Sequence, residues 1–196
     1  MIHISIEGLD GVGKTTICRL LAKMTGYTFV EKPLHYLFDV SHDEWPNYFH
    51  IRNKVNMSKN RDFTAWFYGL GNIYLYEKFR NKNIITDRHL ASNYCWSGTS
   101  ANEDIYDLLI KKINVPSLTV VLYAKQKVIE NRLINRDKKD KDLKKIRLSE
   151  KFYEKMIHFC EMRRMPYMVI DTTNRTPKEI VATIVRKVEE QHANHQ

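Results

Sequence analysis

Three cysteines in 196 residues, Cys18, Cys95 and Cys160, are too few and too widely spaced for a disulfide framework or a zinc site. The eight histidines are scattered, and none forms the His-Glu-x-x-His spacing of a zinc hydrolase. No apolar run approaches the ~20 residues that a membrane span needs. A core strand that starts at Ile2 leaves no room for a secretory leader, so a cytoplasmic protein with reduced thiols is expected. Acidic residues are also short: 23 against 32 basic ones gives a net charge of +9, which raises the question of nucleic acid. No RNA- or DNA-reading motif accompanies that charge, and an enzyme with phosphate-bearing substrates needs the same cations. Neither nucleic acid nor membrane is therefore expected as a partner, and a nucleic-acid-dependent ATPase stays as the alternative from another class.

Glycine is scarce too, and three of the seven fall between residues 8 and 13. There Glu7-Gly8-Leu9-Asp10-Gly11-Val12-Gly13-Lys14-Thr15-Thr16 satisfies the phosphate-loop pattern G-x-x-x-x-G-K-[ST]. Ile2, Ile4 and Ile6 alternate with polar residues before the loop, as in a strand, and Ile17, Leu20, Leu21 and Met24 have helical spacing after it. Strand, loop and helix thus follow in the order the chemistry needs. Gly8, Gly11 and Gly13 allow backbone N–H groups to turn inward, and the helix N-terminus completes a cradle for phosphate oxygens. Lys14 supplies a mobile positive charge to the β- and γ-phosphates, and the Thr15 hydroxyl is placed to ligate Mg²⁺. The expected ligand is a nucleoside triphosphate.

Further along, Thr28 to Val30 reads as a buried strand that delivers Glu31 and Lys32 to the ligand crevice or to an exposed loop, with Pro33 ending it. Residues 34 to 60 read as short helices. Arg61 to Arg80 is helical, with Phe63, Phe67, Leu70, Tyr74 and Phe79 roughly on one side as a core stripe, and with Trp66 or Phe67 as candidates for a base-stacking platform. Gly69 and Gly71 interrupt it at a cost of about 1 kcal/mol each against alanine, which a kink or a tight approach would justify. Asn83 to Thr86 is the next core strand and delivers Asp87, Arg88 and His89. Helices are expected from Leu90 to Ser97, Glu103 to Ile113, Lys125 to Arg136 and Ile146 to Met162, with strands at Leu118 to Tyr123 and Tyr167 to Ile170. A capping box at Thr176, Pro177 and Glu179 opens the last helix. The mixed-charge run after Arg136 cannot bury itself and is expected to be mobile or solvated. Five strands alternating with helices predict one α/β domain over 1–196, a three-layer open parallel sheet of the P-loop, nucleotide kinase-like type.

The loop alone does not decide among GTP switches, translocases and small-molecule kinases. No Asn-Lys-x-Asp run is present for guanine, and the strand after residue 83 ends in Asp87-Arg88 rather than Asp-Glu. An aspartate there offers a magnesium contact, and the adjacent guanidinium can clamp a phosphate. The loop sequence, with Asp10 inside it, resembles that of thymidylate kinases, and Asp87-Arg88-His89-Leu90-Ala91-Ser92-Asn93-Tyr94-Cys95-Trp96 resembles that family's Asp-Arg-Tyr-x-x-Ser-x-x-x-Tyr segment. Val169 to Thr172 followed by Pro177 is similar to its last strand and helix start, and residues 136–146 sit where it has a lid. The resemblance implies ATP and Mg²⁺ as cofactors and transfer to dTMP, giving dTDP. It places Gly8, Asp10, Gly11, Val12, Gly13, Lys14, Thr15, Thr16, Arg132 and Thr172 around ATP, with Thr15 and Asp87 at the metal. Arg132, Arg136 and Arg147 would close over the phosphates, and Lys14, Asp10, Arg88 and Arg136 would be catalytic. Asp10, Glu31, Lys32, Phe67, Arg88, Asn93 and Trp96 would meet the acceptor, Asn93 at the thymine edge and Trp96 under the deoxyribose. The loop at Glu31-Lys32-Pro33 departs from the family, and a carboxylate there suits a deoxyribonucleoside kinase whose acceptor is a 5′-hydroxyl. The acceptor therefore stays open at this point, as does the choice between monomer and homodimer.

Overall fold

β1 (His3–Glu7) lies at the centre of the sheet and is buried along its whole length. In the computed structural model, which describes residues 1–39, 44–137, 142–143, 147 and 149–193, five parallel strands run in the order β2-β3-β1-β4-β5. The others are β2 (Thr28–Glu31), β3 (Ile84–Asp87), β4 (Leu118–Tyr123) and β5 (Tyr167–Asp171). The register pairs His3 with Ile84, Ile4 with Leu118, and Glu31 with Asp87. It brings the carboxyl ends of β1, β2 and β3 to one edge, where ligands of open α/β sheets bind.

The alternation in β1 is genuine, but its polar side does not face water. His3, Ser5 and Glu7 are buried, as are Thr86 and Thr119 beside them. Helices cover both faces, as an all-parallel sheet requires. α1 (Lys14–Thr25) and α9 (Pro177–Ala193) pack on one. α4 (Arg61–Lys78), α5 (Leu90–Ser97), α6 (Glu103–Ile113) and α8 (Ser149–Met162) pack together on the other. The remaining helices are α2 (His35–Phe38), α3 (Pro46–Asn56) and α7 (Gln126–Arg136). No helix of the described residues is long and apolar enough to cross a membrane. The capping box forms as expected: Thr176 N–H donates to Glu179 Oε2 at 2.7 Å, and Glu179 N–H donates to Thr176 Oγ1 at 3.3 Å.

α4 departs from its expected packing. Its inward face is made of Thr64, Ala65, Gly69, Gly71, Asn72 and Leu75, whereas Phe63 and Leu70 of the expected core stripe are exposed. The glycines explain this. A Cβ on Gly69 would lie 3.0 Å from Leu109 Cδ1, and one on Gly71 would lie 3.3 Å from Leu34 Cγ. α4 thus sits against α6 and the Pro33-Leu34 turn on its glycines, and Phe63 and Leu70 point away. Of the expected lid, residues 138–141 and 144–146 lie outside the described residues.

Candidate active site

The turn after β1 depends on glycine. Gly8 has φ +130°, and a Cβ there would stand 2.3 Å from the Leu122 carbonyl oxygen of β4. Gly13, at φ 97°, is the left-handed N-cap of α1, so the first turn of that helix opens toward the loop. Lys14 is buried; its ammonium donates to Leu9 O at 2.8 Å and stands 3.5 Å from Asp10 Oδ1. Burial pushes its pKa down, and the nearby Arg88 adds to that. Thr15 Oγ1 donates to Asp87 Oδ2 at 2.6 Å, which joins the start of α1 to the end of β3. A hydroxyl and a carboxylate converging beside a phosphate cradle fit a hard cation such as Mg²⁺. Among the described residues no group of three or more His, Cys, Asp or Glu could hold a metal ion, so phosphate oxygens and water would complete that coordination.

Arg88 stands at the middle of the site with φ 78°, a left-handed conformation costly for any residue that carries a Cβ. Its Nη1 donates to Gly8 O at 2.8 Å and to Ser92 Oγ at 3.1 Å, while Nη2 donates to Asp10 Oδ1 at 2.8 Å. Behind it the buried Glu7 carboxylate accepts from Ser5 Oγ at 2.7 Å, from His89 N–H at 2.8 Å and from Ser92 Oγ. Burial raises the Glu7 pKa. This carboxylate ties the end of β1 to the turn that carries Arg88. The signal for it was present in the sequence, as a charged residue on the polar side of a central strand.

At the acceptor end, the Glu31 carboxylate forms an ion pair with Lys32, which is itself 5.3 Å over the Trp45 ring. Burial lowers the Lys32 pKa to about 8. Two further cations line this end, and sequence reasoning did not find them. Arg52 of α3 donates from Nη2 to Asn53 Oδ1 at 2.8 Å, and its buried Nε has no hydrogen-bond partner among the described residues. Arg61, at the start of α4, donates to Trp96 O at 3.2 Å. Trp96 lines the cleft with its ring tilted on Phe152. Asn93 also lines it, with its amide anchored on Ala65 O at 3.1 Å and on the Tyr106 hydroxyl at 3.2 Å. Phe67 does not reach the cleft lining, and Trp66 is exposed on the outer side. The aromatic that α4 offers is Tyr68, because one residue along a helix turns the side chain by about 100°.

At the opposite end, Arg132 Nη2 donates to Thr172 O at 2.8 Å and Nη1 to Thr172 Oγ1 at 3.1 Å, while Thr172 Oγ1 donates to Val12 O at 3.2 Å. The Val12 side chain is core, and its contribution to the site is backbone. Arg136 reaches Asp142 at 3.3 Å, and Arg175, Pro177 and Ile180 close this end. One continuous cleft of about 1700 Å³ runs from Ile180 past Lys14 and Arg88 to Arg61. A single small-molecule site occupies roughly 300–1,000 Å³, so this space accommodates two ligands end to end.

Residues 4–158 match the family model of an AAA domain. Thymidylate kinase of Mesomycoplasma hyopneumoniae strain J is 28% identical over 98% of this chain and 99% of its own length. A putative adenylate kinase of Pyrococcus abyssi is 25% identical over 93% of this chain and 81% of its own. Among solved structures, thymidylate kinase from Candida albicans superposes with TM-score 0.65 at 17% identity, covering all of this chain and 93% of that one. Deoxyadenosine kinase from M. mycoides gives 0.64 at 19% identity, over 96% and 100% of the two chains. With the phosphate loop and the strands as far as β4 in the stretch that the family model matches, the chain belongs to the AAA domain family and is similar to thymidylate kinases over its whole length.

Proposed function

We propose that this protein is a nucleoside monophosphate kinase that transfers the γ-phosphoryl group of ATP to a deoxyribonucleotide, dTMP giving dTDP. The observation that carries this reading is the gathering of Lys32, Arg52, Arg61 and Arg88 in the half of the cleft beyond the phosphate loop. Such a set suits an acceptor that arrives as an anion. Glu31 fits the same reading. A base for a 5′-hydroxyl must be free to take a proton, whereas this carboxylate is bound to an ammonium. The relatives named thymidylate kinase support the choice of dTMP.

In this reading the first turn of α1 and the Lys14 ammonium hold the β- and γ-phosphates of ATP, and Arg132 holds the loop from the nucleoside side. Arg88 binds the acceptor phosphate from the side opposite Lys14. The transferring group then passes between two fixed cations, which stabilises its charge without rearrangement during the reaction. Thr15 and Asp87 would hold Mg²⁺, which neutralises phosphate charge when bound. Asp10, bridging Lys14 and Arg88, keeps the two cations at their separation.

A second reading, a deoxyribonucleoside kinase, is favoured by the position of Glu31 at the cleft end of β2. ADP release measured with dTMP, thymidine or single-stranded DNA, each added alone, separates the readings. The expected result is turnover with dTMP. Turnover with thymidine but not dTMP would select the second reading, and stimulation by DNA alone would overturn both.

A further inference from the structure

Glu7 is fully buried at the end of the central strand, where a carboxylate is costly unless its oxygens are hydrogen-bonded. Its donors come from three elements: Ser5 on its own strand, the His89 N–H in the turn after β3, and Ser92 in the first turn of α5. Two of the three act on Arg88. The His89 N–H, at 2.8 Å, fixes the peptide that follows Arg88, while the Arg88 N–H donates to Ile6 O at 3.0 Å. These bonds clamp the backbone on both sides of a residue held at φ 78°, a conformation that persists only where its surroundings over-determine it. The Ser92 hydroxyl works on the far end of the same side chain. It donates to Glu7 Oε2 and accepts from Arg88 Nη1 at 3.1 Å, so the carboxylate also sets the guanidinium.

A guanidinium has five N–H donors, and the bonds made here decide which remain for a ligand. Nη1 uses both of its hydrogens, on Gly8 O and Ser92 Oγ, and Nη2 uses one on Asp10 Oδ1. Nε–H and the second Nη2 hydrogen are left. These two lie side by side, as the fork that binds a phosphate through two parallel bonds. Releasing Nη1 from Ser92 lets the guanidinium plane turn, and the fork then no longer holds one direction. We infer that Glu7 and Ser92 are positioning residues for Arg88: one buried carboxylate fixes both its backbone and its guanidinium, and leaves the Nε–Nη2 edge to the acceptor phosphate. This rests on the proposed reading of Arg88 as the ligand of that phosphate. Glu7 itself is out of reach of any substrate and acts only through its partners.

Steady-state kinetics with dTMP and ATP test this. Ser92→Ala removes the link to the guanidinium, and Glu7→Gln keeps an acceptor for His89 N–H but turns an amide toward Ser92. Each should raise the KM for dTMP about tenfold, the scale of one hydrogen bond to a charged group, and leave the KM for ATP within about twofold. In an Arg88→Ala background neither change should raise the KM for dTMP further, because the group they position is gone. An equal rise in both KM values, an unchanged KM for dTMP, or a full effect on top of Arg88→Ala would overturn the inference. The placement itself is read without substrate by nitrogen-15 NMR of the arginine side chains at low temperature. The wild type should give separate, slowly rotating Nη signals that are missing from Arg88→Ala, and in Ser92→Ala they should merge. Separate signals that persist in Ser92→Ala would overturn the inference whatever the activity. The expected signals in a protein that does not turn over dTMP would uphold the placement and overturn the kinase reading instead.

Discussion

Lys14 enters the site from below, with its ammonium resting on Leu9 O and Asp10 rather than in solvent. No other loop residue can put a positive charge between two phosphates. Lys14→Ala should lower turnover by at least ~10²-fold, the scale of removing one preorganised charge, with the thermal midpoint measured alongside to exclude unfolding. Near-normal turnover in a folded variant would place the triphosphate elsewhere. The acceptor side is tested by Arg88 and Glu31. If the acceptor is a monophosphate, Arg88→Ala should raise its KM much more than that of ATP, and Glu31→Gln should be mild. A ~10²–10⁴-fold fall in turnover with Glu31→Gln would instead make Glu31 a general base. Lys14, Thr15, Asp87 and Arg88 were legible in the sequence because each follows a strand end or a glycine turn at fixed spacing. Arg52 and Arg61 were not, because they reach the cleft from helices whose placement no local pattern specifies. Phe67 was expected there and Tyr68 is found, a difference of one helical step.

The elements were legible where periodicity meets punctuation. All five strands lie where alternation and flanking turns placed them, and α9 begins at its capping box. Hydrophobicity alone misplaces Phe63 and Leu70 of α4, since it points them inward while the backbone approach is made by glycine. Gly69 makes this testable. The side chain that a Cβ there would meet is Leu109, which is 1% exposed and has nowhere to retreat. Gly69→Ala should therefore destabilise the protein by about 1 kcal/mol, the cost of overpacking less the gain in helix propensity, as read from urea midpoints. A stabilised variant would mean that α4 and α6 can separate, and that small residues were not what set their spacing.

At the scale of the molecule, the strand order 2-3-1-4-5 was beyond reach of the sequence, because crossovers of similar length allow several orders of a parallel sheet. That order is what surrounds β1 and buries its polar side. His3 is held there by the Tyr76 hydroxyl at 2.6 Å and Thr86 Oγ1 at 2.9 Å, and its ring meets the His89 ring edge-on at 4.7 Å. Burial lowers the His3 pKa from 6.5 to about 3, and burial, then His3, pushes His89 well down. Below pH 6.5 the unfolded chain takes up protons at both histidines that the native state refuses, so stability rises with pH there and is lost as pH falls. Each histidine contributes a slope of about 1.4 kcal/mol per pH unit. Glu7 acts in the opposite sense: its raised pKa means that the native state keeps a proton the unfolded chain releases, so its contribution is lost as pH rises above 4.5. With two histidines against one carboxylate, unfolding free energy from urea titrations should fall as pH drops from 6.5 to 5. His3→Gln, which keeps hydrogen-bonding capacity but cannot titrate, should remove up to one proton from that slope. An unchanged slope in that variant would mean that His3 is protonated in the native protein, paired within the sheet rather than held neutral by it.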